Sequence, residues 1–437
     1  MIDIELLRKD PDFVKAALAK REMQAASIDR ILELDRRRRE LIGDVEKRRS
    51  QRNDVAKQIG KLKAQKQDTA ELQAQSTELK NAMAEAESAL AETESALKEA
   101  ASELPNYTDE RSPAGGKENN QVVKVWGEKP APVSKPLDHV EMSTRLGLVD
   151  HERGAKLSGS GFWIYKGWGA ALEWALVDFF NREHFADGYT FMLPPHMLLD
   201  QCGFAAGQFP KFREDVFHVK TSDDERQRFL LPTAETAILN VYRDEILDET
   251  ALPIKAFAYT PCYRRESGAY RTEERGTIRG HQFNKVEMFQ FVTPEDADAA
   301  LAELVGKAES LMEKLGLHYR TSLLAAGDTS ASMAMTYDVE VWLPSIGIYK
   351  EVSSASWARD YQARRANIRY RTEGKKGTAF IHTLNASGLA TSRLLPAILE
   401  QHQREDGSLT VPEPLRPWLG TDVIEPGRPL PSRAAAK

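Results

Sequence analysis

At 437 residues the chain is too long for one ordinary hydrophobic core, so two or three domains are expected. A net charge of −6 and a pI near 6.0 give no global basic field, so any nucleic-acid contact must come from a local patch. Two cysteines, Cys202 and Cys262, make neither a disulfide framework nor a zinc set and point to a reducing compartment.

The opening MIDIELLRKD lacks the apolar core of a signal peptide, and no apolar run approaches the roughly 20 residues that span a bilayer. The expectation is a soluble, cytoplasmic protein. Residues 1 to about 27 read as a short helical preface, with Asp10-Pro11 as a helix-start signal. A long heptad follows. Ile31, Leu34, Arg38, Leu41, Val45, Arg48, Arg52, Val55, Ile59 and Leu62 advance in alternating steps of three and four. Leu72, Ser76, Leu79, Met83, Ala86, Leu90, Thr93, Leu97, Ala100 and Leu104 do the same. Two such seams, broken near 67–70, predict an antiparallel helical coiled-coil hairpin. Each arm of about 35 residues would reach roughly 50 Å at 1.5 Å per residue.

Charge divides unevenly between the arms. From Asp35 to Lys66 there are twelve basic residues against five acids; from Asp68 to Leu104 there are two against nine. Mutual attraction of the arms accounts for part of that pattern. Arg36, Arg37, Arg38 and Arg39, with Lys47, Arg48, Arg49 and Arg52, exceed what pairing needs, and Arg48 and Arg52 interrupt the apolar seam itself. Such an excess suits a phosphate backbone.

Residues 105–135, rich in Pro, Gly and Asn, break the helix and read as a linker between an N-terminal domain (1–104) and a second domain (136–437). Beyond 136 the chain turns to aromatics, short strands and scattered helices. No strand–helix alternation with a glycine fingerprint appears, so an antiparallel sheet flanked by helices is expected, an α+β class. Residues 161–165 form an aromatic strand, 169–184 an amphipathic helix, and 188–195 a strand stopped by prolines. Thr233 and Glu235 open a helix over 236–247, where such residues serve by default as caps.

The stretch 260–291, TPCYRRESGAYRTEERGTIRGHQFNKVEMFQF, reads as two strands joined by a long charged connection. Alternation sets Phe283, Lys285 and Glu287 on one face. Charges on sheet strands are costly in a core unless something there uses them; the alternative is a solvated hairpin whose charges pair with each other. Residues 337–344 form a strand, and 349–356 another with Glu351 and Ser353 on one face unless a bend intervenes. Residues 360–371 continue as a basic strand. Residues 383–400 pass from strand to helix through a glycine. Arg393 beside that helix start is on the wrong side for the helix dipole, unless it faces an anion that the helix end also attracts.

Arg264-Arg265-Glu266, followed by Arg275-Gly-Thr-Ile-Arg279-Gly-His-Gln-Phe-Asn-Lys-Val-Glu287, resembles motif 2 of the class II aminoacyl-tRNA synthetases in the form found in seryl-tRNA synthetases. The helix, strand and prolines of 169–195 resemble motif 1, which builds a homodimer interface in that family. Thr383-Leu-Asn385-Ala-Ser387-Gly388-Leu-Ala-Thr-Ser392-Arg393 resembles motif 3. Together with the arm, the resemblance covers nearly the whole chain.

It implies a serine–tRNA ligase of the bacterial type, which activates L-serine with ATP as seryl-adenylate and passes the seryl group to the 3′ end of serine tRNA; whether selenocysteine tRNA is a further acceptor stays open. Arg264, Arg279 and Arg393 would carry the chemistry. Thr233, Glu235, Arg264, Glu287, Asn385 and Ser387 would line the serine site: Thr233 near the carboxylate or hydroxyl, Glu235 near the ammonium, Glu287 near hydroxyl or ammonium. Arg264, Glu266, Arg279, Phe283, Glu351, Ser354 and Arg393 would hold ATP, with Mg²⁺ at Glu351 and Ser354. The arm would grip the long variable arm of the tRNA through its basic residues.

The chain departs from the family pattern. The usual Thr-Ala-Glu-Val-Pro has Thr236-Ala237 after the glutamate, Ser-Ser-Cys-Ser-Asn reads Ser-Ser-Ala355-Ser-Trp357, and Gly-Leu-Ala-Val-Gly-Arg has become Gly-Leu-Ala-Thr391-Ser392-Arg393. Each spares the presumed contact residue and alters its packing. The zinc-dependent archaeal form needs a cysteine set that this chain lacks. Two alternatives remain: a specialised paralogue activating serine or an analogue for antibiotic resistance or biosynthesis, and a noncatalytic RNA-binding coiled-coil protein, which leaves the convergent charges without a task.

Overall fold

Asp3 and Asp10 each cap a short helix, accepting from the Glu5 and Phe13 N–H groups at 2.8 and 3.0 Å; Pro11 supplies the first turn of the second helix. These are α1 (Ile4–Lys9) and α2 (Pro11–Ala19). The computed structural model describes residues 1–23, 26–131, 133–220, 226–266 and 275–430. It divides into two units, Met1–Pro105 and Asn106–Lys437.

In the first unit, α3 (Ala26–Ala64) and α4 (Ala70–Glu103) form a hairpin. All twenty heptad positions are buried or half-buried. Arg38–Glu94 (3.0 Å) and Arg49–Glu87 (3.4 Å) cross between the helices, as an antiparallel register requires. Asp35 is fully buried and held by Arg8 and Arg39, which ties α1 to the base of the hairpin.

The second unit is built on an eight-stranded sheet. Its strands are β1 (Gln121–Trp126), β2 (Thr190–Met192), β3 (Ile254–Tyr263), β4 (Gln282–Val292), β5 (Tyr319–Leu323), β6 (Met335–Leu343), β7 (Ile348–Arg359) and β8 (His382–Ala390). The spatial order is β1-β5-β6-β7-β8-β4-β3-β2, antiparallel throughout except for the parallel β2–β3 pair at one edge. The flanking helices are α5 (Trp168–Ala186), α6 (Glu235–Leu239), α7 (Ala297–Lys314), α8 (Tyr361–Ala366) and α9 (Thr391–Gln401).

Alternation along β4 divides the layers. Val286, Met288 and Val292 join the core under α7 and α9, with Leu304, Leu311, Leu394 and Ile398. Phe289 and Phe291, on the opposite face, enter a second core with Ile238, Leu239, Ala363 and Ile368. Lys285 and Glu287 share that opposite face, toward the other end of the strand. The site therefore borders a packed layer on the same face, which fixes its floor.

Three expectations change. Residues 106–135 lie within the second unit: β1 pairs with β5, and the Asn106 side-chain amide donates to Ser332 O (3.1 Å) and Ala358 O (2.8 Å). The segment expected over 360–371 as a strand is helix α8 followed by a strand, Arg369–Arg371. Arg364 pairs with Asp360 one turn back, and Asn367 ends the helix in the left-handed conformation (φ +53°). The helix expected over 236–247 ends at Leu239, where the Asn240 side chain bonds back to Thr236 O at 2.8 Å. The middle of the charged connection after Glu266, residues 267–274, lies outside the described residues.

Candidate active site

The floor of the site is the Tyr263–Gln282 end of the paired strands β3 and β4 with the adjoining stretches of β7 and β8. In register, Glu287 lies opposite Ala258 of β3 and Ser387 of β8, so its strand is paired along both edges. A cleft of about 540 Å³ opens above, lined among others by Thr233, Glu235, Arg264, Lys285, Glu351 and Ser387. A narrower recess beside it is lined by Arg264, Glu266, Arg279, Phe283, Lys285 and Arg393, of which Phe283 and Arg393 line the recess alone. Every residue assigned to serine, ATP or the metal lines one or both, except Glu287, which reaches them through its neighbours.

One end of the cleft is rich in buried carboxylates. Glu287 is fully buried, paired with Lys285, and accepts from Asn385 Nδ2 at 3.0 Å. Glu235 accepts from Gln362 Nε2 at 2.6 Å and from Asn385 Nδ2 at 3.4 Å. Burial first, and then the Glu287 charge, push the Glu235 carboxyl up to about 7. Gln362 is itself fixed by Thr383 Oγ1 (2.7 Å) and Ala206 O (3.1 Å). The charges therefore do not form a solvated hairpin. They sit in a cluster that a cationic ligand end would complete.

The other end is rich in guanidinium groups. Arg264 spans the two ends, donating from Nε to Pro232 O at 3.3 Å with its guanidinium 5.3 Å from the Phe283 ring centroid. Arg279 pairs with Glu266 at 2.5 Å. Arg393, on the first turn of α9, pairs with Glu351 at 2.9 Å and also donates to the Glu351 carbonyl at 3.2 Å. The Glu351 charge raises the Arg393 guanidinium, so it stays cationic.

The strand carrying Glu351 corrects a further expectation. Its pairing with β6 shifts by one residue, Val339 opposite Ser353 but Glu340 opposite Glu351. That bulge brings Ser354, not Ser353, into the cleft with Glu351. Ser353 instead donates to Ser387 O at 2.5 Å. Ser354 Oγ lies 3.4 Å from Glu351 Oε1 and 2.6 Å from Asp338 Oδ1. Burial and the Glu351 charge push the Asp338 carboxyl well above its usual range. Burial acts against Glu351 too, but Arg393 and Arg264 outweigh it and hold Glu351 below its usual range. Hard oxygen donors of this kind fit Mg²⁺, which is bound through one or two carboxylates plus phosphates. Among the described residues no three His, Cys, Asp or Glu side chains form a metal cluster, so phosphates and water would complete such a shell.

Sequence reasoning missed Lys285, Asp338 and Gln362. For Lys285 the signal was present: it shares the strand face of Phe283 and Glu287. For Asp338 and Gln362 there was none locally, since their partners are 16 and 127 positions away.

In the first unit, Arg36, Arg37, Arg39, Lys47 and Arg49 are exposed, while Arg38, Arg48 and Arg52 are half-buried in the seam. Arg38, Arg39, Arg48 and Arg49 are held in ion pairs, with Glu94, Asp35, Asp44 and Glu87. Among the described residues Arg36, Arg37 and Lys47 make no ion pair. Nor, among those residues, is any helix long and apolar enough to cross a membrane.

Comparison with known proteins agrees with this geometry. The family model "Seryl-tRNA synthetase N-terminal domain" matches residues 1–108, and "tRNA synthetase class II core domain (G, H, P, S and T)" matches residues 217–402. The chain is 56% identical over 426 residues to "Serine--tRNA ligase 2" of Clostridium acetobutylicum, covering 97% of this chain and 100% of that one. It is 47% identical to "Serine--tRNA ligase" of Caldicellulosiruptor saccharolyticus, covering 97% and 100%. Among solved structures it superposes, at a TM-score of 0.91 and 33% identity, on seryl-tRNA synthetase from Pyrococcus horikoshii complexed with ATP, covering 98% and 100%.

Proposed function

The chain belongs to the seryl-tRNA synthetase family and acts as an ATP-dependent ligase that charges tRNA with serine; from that premise we propose how its residues divide the work. The reaction first joins two anions, a carboxylate and a triphosphate, so alignment and charge neutralisation are the main tasks. The observation that carries the reading is the position of Arg264, between the carboxylate end and the guanidinium end of one sheet floor.

Serine's ammonium goes to Glu235 and its hydroxyl to Glu287 and Ser387, with Thr233 and Asn385 completing the pocket. That leaves its carboxylate facing Arg264, whose planar fork suits oxyanions on both serine and the α-phosphate. The carboxylate oxygen attacks the α-phosphorus, the bond to the bridging oxygen breaks, and pyrophosphate departs. Glu266 accepts from the adenine amino group while Phe283 stacks on the ring. Arg279 and Arg393 face the β- and γ-phosphates. Mg²⁺ held by Glu351 and Ser354 would supply further neutralisation of triphosphate charge. In the second step the tRNA terminal hydroxyl attacks the acyl carbon and AMP leaves.

The tRNA's long arm lies along α3, where Arg36, Arg37 and Lys47 offer unpaired cations to phosphates. A second copy of the chain covers the outer face of α5 and the strand after it. Trp174 (54% exposed), Phe185 (67%) and Leu193 (73%) are large apolar side chains left open to solvent on and just after those elements, which supports that reading. A cytoplasmic setting agrees with two buried free cysteines.

The test is charging of serine tRNA by the intact chain, alongside serine-dependent exchange of pyrophosphate into ATP. Serine must support exchange far better than alanine or threonine. Absence of exchange with serine ends this reading; exchange without charging favours the specialised paralogue.

A further inference from the structure

Lys285 is 5% exposed, and its ammonium touches Thr233 Oγ1 at 2.8 Å and the Glu287 carboxylate. Burying an ammonium costs several kcal/mol unless partners offset it, and the division of work above gives this one no task.

Donor and acceptor arithmetic supplies one. A threonine hydroxyl has one proton and two lone pairs, whereas an ammonium and a backbone N–H only donate. Around Thr233 Oγ1, the Lys285 ammonium and the Glu235 N–H (3.3 Å) take both lone pairs. The single hydroxyl proton is left for Glu287 Oε2, 3.3 Å away. Asn385 spends its amide hydrogens on Glu287 and Glu235, and its Oδ1 is buried without a partner among the described residues. The open acceptors at this end of the cleft are Asn385 Oδ1 and the remaining lone pairs of Glu287 and Glu235, beside the Ser387 hydroxyl and the third ammonium hydrogen of Lys285. Take away Lys285, and the Thr233 hydroxyl is free to rotate and accept, while Glu287 loses its cation.

We propose that Lys285 is a positioning and specificity-determining residue: by directing the Thr233 hydroxyl proton onto Glu287 and anchoring that carboxylate, it holds Glu287 in place as an acceptor, so that the pocket favours a side chain able to donate a hydrogen bond. The proposal rests on the serine reading above. The other ionisable groups facing this ammonium are Glu235 on α6, Arg264 at the end of β3 and the Cys262 thiol on β3; β8 contributes the neutral Asn385 and Ser387.

The experiment uses the full chain with Lys285→Met, which keeps the unbranched stem of the side chain and removes its donors, and with Lys285→Gln, which keeps one donating group. Serine- and alanine-dependent pyrophosphate exchange, the KM for ATP and thermal melting are measured for each. For Lys285→Met the serine KM rises at least tenfold, the ATP KM stays within twofold, and the serine-to-alanine ratio of kcat/KM falls about tenfold. Lys285→Gln recovers part of that ratio. An unchanged ratio in a folded variant overturns the proposal, as does a uniform fall in both substrates together with a higher ATP KM. Should Lys285→Met not fold, the ratio in Lys285→Gln decides alone. A wild-type chain without serine-dependent exchange would instead sink the reading on which the proposal rests.

Discussion

Arg279 Nη1 lies 2.5 Å from Glu266 Oε2, closing the end of the cleft where adenine and triphosphate are placed. Glu266 adopts φ +48°, a left-handed backbone that a residue with a side chain occupies at a cost of roughly 1–2 kcal/mol. That geometry turns its carboxylate toward Arg279. In the proposed division of work ATP separates the two, each exchanging its present partner for a part of the nucleotide. Glu266→Ala is expected to raise the ATP KM about tenfold or more, the loss of one charge-assisted hydrogen bond, with the serine KM little changed. Exchange kinetics at varied ATP and fixed saturating serine check it.

Arg264→Ala should act on the chemical step. Among the described residues the Arg264 side chain donates one long hydrogen bond, to Pro232 O, so the fold should tolerate its removal. The serine-dependent exchange rate is expected to fall about 10²–10³-fold, as for loss of one donor to a developing anion. A fall under tenfold would remove Arg264 from the centre of the mechanism.

The Glu235 carboxyl, at about 7, makes serine capture depend on pH. Below that value it is neutral and attracts an ammonium weakly; above it, it is ionised. The kcat/KM for serine should therefore climb as pH rises from about 6 and level off above about 8. Glu235→Gln should flatten the climb and lower the plateau. A profile of the same shape in wild type and variant would assign the inflection to another group.

Glu173 offers a stability prediction. It is buried on α5, with Asn284 Nδ2 (2.8 Å) and Thr391 Oγ1 (2.5 Å) both donating to its Oε1. Burial pushes the carboxyl from 4.5 to about 7 despite those donors. Between these values the folded chain keeps a proton that the unfolded chain has lost, so stability falls as pH rises and the cost is complete above about 7. Glu173→Gln keeps an acceptor without that cost, which is on the order of 3 kcal/mol at most. Relative to wild type, its melting point should be a few degrees higher at pH 8 and show no such gain at pH 4.

On the arm, Arg36→Ala/Arg37→Ala/Lys47→Ala should leave serine-dependent exchange intact and weaken charging tenfold or more. The dependence of the tRNA KM on salt should become shallower, since fewer phosphate contacts remain. Equal charging by variant and wild type would take the arm out of tRNA recognition.

Much of the site was legible because its residues cluster within short stretches whose strand phase is regular. Phe283, Lys285 and Glu287 fall on one face as alternation requires. The heptads were legible for the same reason, and every position of both seams is at least half-buried. What simple alternation missed was set by distant partners. Ser354, named by the resemblance, shares the cleft with Glu351 because a bulge against β6 shifts the phase of β7. Composition marked 105–135 as a linker, yet Asn106 and Asp109 are claimed by Ser332, Ala358 and Arg359 from more than 200 positions away. A truncation at 136 would strip β1 from the sheet; the cut that respects the fold falls at 106.

Glu287 stands on a strand laced to a neighbour on each side, so its backbone has nowhere to retreat. An amino acid bulkier than the pocket was shaped for cannot be met by a yielding floor. Retraining this chain on a larger substrate would mean shortening side chains such as Thr233 or Asn385 in combination, since the strand beneath them is paired along both edges.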